Sequence, residues 1–118
     1  MGTVKVTIGV GDPQGRRFEE LEVVVDTSST YTALPGAMLR RLGVPIQRSL
    51  PSETADGRIV PVDVGQTNIR LEELEFQTPV IFAEEHEPSL LGVVSLEQAA
   101  LAVDPLAGRL IPTNLLRL

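Results

Sequence analysis

The sequence predicts a mostly-β domain, a small barrel or sandwich with one or two short helices. Three observations predict it. Short runs of β-branched and aliphatic residues alternate with polar ones at period two. Gly, Pro and Asp-Gly turn signals punctuate these runs. Two stretches carry the apolar spacing of short helices. With 118 residues, the chain suffices for one domain with its own core. No repeat, low-complexity segment or linker divides it, so residues 1–118 read as a single domain. Hydrophobic residues make up 42 % of the chain but aromatics only 3 %, so the core must be Val, Leu, Ile and Ala.

Residues Thr3 to Val10 alternate, with Val4, Val6, Ile8 and Val10 on one face of a half-buried strand. Asp12-Pro13-Gln14-Gly15 is turn chemistry. Phe18 to Asp26 returns as a second strand, with Glu19, Glu20 and Glu22 at its wet end and Val23 to Val25 at its buried end. Pro35 suits the first turn of a short helix in which Met38, Leu39 and Leu42 share a face, and Gly43 suits its stop. Ser49 to Thr54 is polar. Asp56-Gly57 is a strong hairpin signal. Ile59 to Val64 reads as a strand broken by Gly65; Thr67 to Leu71 and Leu74 to Thr78 alternate again. Val80 to Ala83 is a continuous apolar run, the pattern of a strand buried on both faces. Glu84 to Pro88 is a solvated loop. Leu90-Leu91-Gly92 is a short strand ending in Gly. Ser95 and Gln98 have the spacing of a capping box opening a second helix, with Leu96, Ala99 and Ala100 toward the core. Asp104 to Gly108 is a turn into a hairpin strand, Arg109 to Pro112. The tail, Thr113 to Leu118, is apolar and should be paired with something.

Charge and composition narrow the function. The net charge is −6 and the pI about 4.7, so no basic patch exists to neutralise phosphates and nucleic acid is excluded as a partner. The chain has no cysteine, which excludes disulfides and thiolate metal sites. Met1 to Val10 lacks the pattern of a secretory signal, and no apolar run is long enough to span a bilayer. The expectation is a soluble, cytoplasmic protein with no membrane partner.

The stretch Glu22 to Pro35, EVVVDTSSTYTALP, carries the chemistry. A β-branched run ends in five small polar residues, placing the carboxylate of Asp26 on a loop where an apolar strand runs out. Apolar-apolar-Asp-Thr-Ser, a small residue and then Thr resembles the active-site loop of aspartic proteases. The continuation Tyr31 to Pro35 is similar to the small retropepsin-like proteases of prokaryotes. The order of parts extends the resemblance over roughly Thr3 to Pro112: leading strands, the Asp26 loop, a hairpin where the family has its flap, and Leu90-Leu91-Gly92 where the family has two apolar residues and a Gly before its C-terminal helix.

The resemblance implies a retropepsin-like, closed β-barrel protomer with one or two short helices. It implies a homodimeric aspartic endopeptidase acting on peptide or protein substrates. Catalysis would fall to Asp26, one from each chain. Thr27, Ser28 and Ser29 would support the loop. Ala55, Asp56, Gly57 and Arg58 would form the flap over the substrate, and Leu90, Leu91 and Gly92 the second apolar-Gly motif. No cofactor and no metal is implied. Three departures stand out: Ser28 where Gly is commoner, a charged hairpin tip, and Val93-Val94 where retroviral relatives carry a dimer-bracing Arg. The alternatives are a catalytically inactive dimerisation or peptide-binding module of the same fold, which Asp26 separates from the enzyme, and an unrelated β-barrel binding domain in which Asp26 only caps a turn.

Other candidates read as structural. His86, the only histidine, lies in an acidic loop with no evident triad partner. Glu84 to Glu87 are adjacent residues that point apart rather than converge on one ion. Gly9 and Gly11 lack the rest of a phosphate-binding fingerprint. Asp63 falls on the outer face of its strand, Asp104 precedes Pro105 in a turn, and Arg40 and Arg41 form a solvated helix face.

Overall fold

The alternation at the N-terminus folds as expected. In the computed structural model, which describes residues 3–118, strand β1 (Lys5–Gly11) pairs antiparallel with β2 (Phe18–Val25), Ile8 facing Leu21 and Val6 facing Val23. The turn between them is tied by the Asp12 side chain: its Oδ1 accepts the N–H of Arg16 at 2.7 Å. Gly15 takes a φ of +69°, which a side chain disfavours.

The remaining elements are β3 (Thr32–Pro35), α1 (Gly36–Arg41), β4 (Arg48–Glu53), β5 (Ile59–Leu71), β6 (Leu74–Ala83), β7 (Leu90–Leu91), α2 (Val93–Ala99), β8 (Leu101–Asp104) and β9 (Arg109–Pro112). Strands β1 to β7 form one sheet in the order β1-β2-β7-β3-β6-β5-β4, and β8 and β9 form a separate hairpin. The mostly-β class with two short helices is as the sequence predicts, but the sheet is not a fully closed barrel. It returns on itself only where β1 meets β5, at Gly9 opposite Arg70 and Val10 opposite Ile69. The reason lies in β5. One of its edges is taken by β6, and the other is divided between β4 along Ile59 to Val64 and β1 at those two pairs.

The core is aliphatic, as the scarcity of aromatics requires. Ile8, Val10, Val23, Leu34, Ile69, Leu71, Val80 and Leu91 are fully buried, joined by Leu39 from α1 and by Leu96 and Ala99 from α2.

Four sequence expectations need correction. Gly65 does not break a strand: β5 runs through it unbroken. Glycine is needed there because a Cβ would meet the carbonyl oxygen of Pro45 at 2.5 Å. Leu74 to Thr78 and Val80 to Ala83 are one strand, β6, which continues through Pro79. Thr32 to Pro35 is a strand in parallel pairing with β6, Thr32 opposite Val80 and Pro35 opposite Ala83, so Pro35 sits at the N-cap and the helix opens at Gly36. The polar segment before the hairpin is strand β4, exposed along most of its length and paired to β5.

The second helix also differs. It opens at Val93 with Gly92 as its N-cap and no side-chain cap, so Ser95 and Gln98 make no capping box. Ser95 is instead fully buried. Its hydroxyl shares hydrogen bonds with Thr32 Oγ1 at 2.6 Å and Thr78 Oγ1 at 2.7 Å. Thr32 Oγ1 also accepts the N–H of Gly92 at 3.1 Å. Three segments that are distant in sequence are thereby joined in the buried interior: β3, β6 and α2 with its Gly92 N-cap. Among the described residues no buried side-chain polar atom lacks a partner.

Among the described residues the tail is tied back only at its start. Thr113 N–H donates to Ala100 O at 2.9 Å. Beyond it, Leu115 is 75 % exposed and Leu116 and Leu118 are fully exposed.

Replacing Ser95 by Ala tests the buried junction. The change removes the partner of Thr78 Oγ1 and leaves a buried hydroxyl unsatisfied, so it should cost about 1–3 kcal/mol. Urea unfolding reads this directly; a loss indistinguishable from zero would show that the hydroxyls do not brace the fold.

Candidate active site

Strand β2 ends where its apolar run ends, and Asp26 is the first residue beyond it. Its backbone N–H donates to Leu91 O at 3.0 Å, extending the parallel contact between β2 and β7. Its carbonyl accepts the N–H of Ser29 at 3.2 Å, closing a tight turn. The carboxylate is therefore presented at a strand end rather than buried in the core. Asp26 is half-buried, and Thr27 and Ser28 are exposed.

Three donors hold that carboxylate. Oδ1 accepts the Ser28 hydroxyl at 2.6 Å and the Ser28 N–H at 3.0 Å, and Oδ2 accepts the Ser29 hydroxyl at 3.0 Å. The Ser28 hydroxyl first, then its N–H, hold the Asp26 carboxyl below the ordinary aspartate value of 3.8, against a smaller opposing effect of desolvation and with help from Ser29.

The loop is clamped from behind by the second motif. Val93 N–H donates to Ser29 O at 2.8 Å and Val94 N–H to Thr30 O at 3.0 Å, so the first amides of α2 are spent on the Asp26 loop. Gly92 permits this approach. A Cβ there would lie 2.5 Å from the carbonyl carbon of Tyr31 and 2.9 Å from Thr30 O. The two motif regions are thus in direct backbone contact, through pairs 64 or 65 positions apart in the chain.

The hairpin between β4 and β5 stands across a cleft from this loop. The cleft, about 780 Å³, is lined by Ser28 and Ser29 on the loop side and by Leu50 and Ala55 from the hairpin, with Val62, Ile81 and Leu90 along it. Of the four hairpin residues singled out by sequence, Ala55 lines the cleft; Asp56, Gly57 and Arg58 do not. The tip is closed by Thr54 N–H to Arg58 O at 2.8 Å and by Gly57 at a φ of +85°. Its charges satisfy one another. Arg58 Nε donates to Asp56 Oδ2 at 2.9 Å, and the Thr54 hydroxyl donates to Asp56 Oδ1. The Thr54 hydroxyl, then Arg58, hold the Asp56 carboxyl low.

Sequence reasoning missed most of the cleft. Leu50, Val62, Ile81 and Glu87 come from four separate segments, and only pairing brings them together. The sequence marks Ile59 to Val64 as a strand but not what it meets. His86 lies exposed in the loop before β7. Among the described residues, no group of three or more His, Asp or Glu is placed to hold a metal. Among the same residues, no helix is long and apolar enough to cross a membrane.

A family model described as "gag-polyprotein putative aspartyl protease" matches residues 16–98, spanning the Asp26 loop, the hairpin and Gly92. No curated protein matches the sequence. Among solved structures, EIAV protease complexed with an inhibitor is 16 % identical, with a TM-score of 0.59 over 83 % of this chain and 88 % of that one. The retroviral protease-like domain of Ddi1 from Leishmania major is 15 % identical, with a TM-score of 0.60 over 98 % of this chain and 91 % of that one. A retropepsin-like aspartic protease from Rickettsia conorii is 18 % identical over 88 % of this chain and 89 % of that one, with a TM-score of 0.47. The likeness to the first two structures, at these identities, speaks to fold alone.

The serine clamp has a pH signature. Replacing Ser28 by Ala should raise the Asp26 pKa toward the ordinary value, read by carboxyl NMR titration of the single chain. The sign for stability follows. A depressed folded-state pKa stabilises above the unfolded value, and that stabilisation is lost as pH falls through the folded one. The variant should therefore be less stable than wild type near neutrality and converge with it in strong acid. A variant with an unmoved Asp26 titration would show that the Ser28 hydroxyl does not bear on the carboxylate.

Proposed function

The chain belongs to the gag-polyprotein aspartyl protease family, and from that premise we propose that it is a homodimeric aspartic endopeptidase whose site is completed by the Asp26 of a second copy. The observation that carries this reading is the half-buried Asp26 carboxylate, held by one N–H and two hydroxyls just past the end of β2.

Amide hydrolysis by paired carboxylates needs one proton between them. Two carboxylates about 3 Å apart cannot both ionise, so the pair titrates with split values, one of them raised. The Ser28 and Ser29 donors favour the ionised partner, which takes a proton from water as the water oxygen attacks the peptide carbonyl carbon. The protonated partner gives its proton to the carbonyl oxygen. The tetrahedral diol then collapses: the C–N bond breaks, the amine leaves with a proton, and a carboxyl remains. A single chain holds half of this apparatus, and a two-fold axis supplies the rest.

Other features fit the same assembly. Exposed Thr27 is free to donate its hydroxyl to the partner's backbone. The peptide would lie extended in the cleft and bind by strand addition, with the hairpin above it. The apolar tail would be covered in the dimer. The self-paired tip charges let the hairpin approach a peptide without presenting a bare ion. A catalytically inactive peptide-binding module is the rival reading, and loss of the Asp26 carboxylate tells the two apart.

The test is cleavage of a random-peptide mixture from about pH 3 to about pH 8, at a concentration verified as dimeric. Wild type should cleave with an acid-side optimum, and Asp26→Asn should lose about 10²–10⁴-fold, the scale of a general acid–base group. Equal cleavage by both, or none by a verified wild-type dimer, would overturn the reading. Deleting residues 113–118 should weaken the dimer at least about tenfold, since burying even one leucine is worth about 1.5–3 kcal/mol. Sedimentation equilibrium reads it, and an unchanged dissociation constant would remove the tail from the interface.

A further inference from the structure

The cleft carries charge of one sign only. Its lining includes the aliphatic side chains of Ala33, Leu50, Val62, Ile81 and Leu90, and its charged members are Glu53 and Glu87, with no Lys or Arg. The two acids stand on different walls. Glu53 ends β4 on the hairpin, and Glu87 lies on the loop that leads to β7.

Glu87 is held in place. Its Oε1 accepts the N–H of Glu84 at 2.7 Å while its own N–H donates back to Glu84 O at 3.0 Å. Among the described residues no hydrogen bond engages the second carboxylate oxygen, and Glu87 is exposed. Three of the chain's ten cations pair with acids outside the cleft: Arg41 with Glu19, Arg58 with Asp56, Arg70 with Glu75. Among the described residues neither Glu53 nor Glu87 has an ion-pair partner. A ligand filling this cleft meets aliphatic surface in the middle and unpaired carboxylates at the rim. The whole-chain charge of −6 acts in the same direction.

We propose that the cleft selects extended peptides with an aliphatic core flanked by Lys or Arg, with Glu53 and Glu87 as the specificity-determining residues. An anionic flank would meet like charge at both acids, since Arg40 and Arg58 line the adjoining pocket that shares Glu87 and not this cleft, so discrimination comes from repulsion as well as attraction. In the two-fold assembly each rim is repeated, and basic residues on both sides of the core find a carboxylate. The inference deepens the protease reading and rests on it only for what happens to the peptide after binding.

The experiment measures binding by the full chain carrying Asp26→Asn, so that nothing is cleaved. Two fluorescein-labelled peptides share a Val-Ile-Leu-Ala core, one flanked by Lys on both sides and the other by Glu. Fluorescence anisotropy at low ionic strength should show the Lys-flanked peptide bound about tenfold tighter, the scale of a few partly exposed charge contacts. The preference should shrink at high salt. It should collapse in the chain that also carries Glu53→Gln and Glu87→Gln. Equal affinities, tighter binding of the Glu-flanked peptide, a preference that survives the two glutamines, or no binding of either peptide would each overturn the proposal. Incubating wild type with the Lys-flanked peptide separates the two readings. Selective binding by the Asp26→Asn chain without cleavage by wild type leaves the specificity in place and rejects the protease.

Discussion

The position of Asp26 depends on a buried set of hydroxyls that Asp26 does not touch. Ser95 bonds Thr32 and Thr78 at once, and Thr32 in turn receives the Gly92 amide. All three side chains are fully buried, so each bond forms in a low dielectric where an unmade partner is costly. Because these bonds join β3, β6 and the start of α2, they fix where the helix begins. The helix start, in turn, places the Val93 and Val94 amides on the carbonyls of Ser29 and Thr30. Gly92 is the steric condition for that approach. The loop can present a carboxylate toward solvent because its backbone is satisfied from behind.

The same economy explains the electrostatics. Two serines stand where one backbone amide and an apolar side chain would suffice to shape the turn, and both hydroxyls go to the Asp26 carboxylate. They favour its ionised form. The hairpin shows the opposite arrangement, since Asp56 and Arg58 answer each other at the tip and leave Ala55 to line the cleft. Among the described residues, the single chain leaves exposed Thr27, the leucines of the tail and, in the cleft lining, Glu53 and Glu87.

The legible parts of the fold were those set by local pattern. Alternation in Thr3 to Val10 and Phe18 to Asp26 is read without a partner, because one face meets the core and the other meets water. Asp56-Gly57 and Asp104 to Gly108 are turn chemistry acting over four or five residues. The missed parts were set by partners remote in sequence. Thr32 to Pro35 holds only four residues and a proline, and becomes a strand because β6 lies beside it. Gly65 looks like a breaker until Pro45 O is known to press on it. Ser95 has capping-box spacing, yet its hydroxyl meets Thr32 and Thr78, residues 63 and 17 positions away. The Asp26 loop and Leu90-Leu91-Gly92 were legible as motifs, whereas the cleft was not, since its lining is collected from separate strands.

The central claim is that one active site takes one Asp26 from each of two chains. Mixing tests it directly. Wild type and Asp26→Asn are combined in varying ratio at fixed total concentration, equilibrated so that chains exchange, and assayed on a cleaved peptide. A shared site predicts activity that follows the square of the wild-type fraction, because only wild-type pairs hold both carboxylates. Activity linear in the wild-type fraction would mean that each chain works with its own Asp26 alone, and would contradict the account.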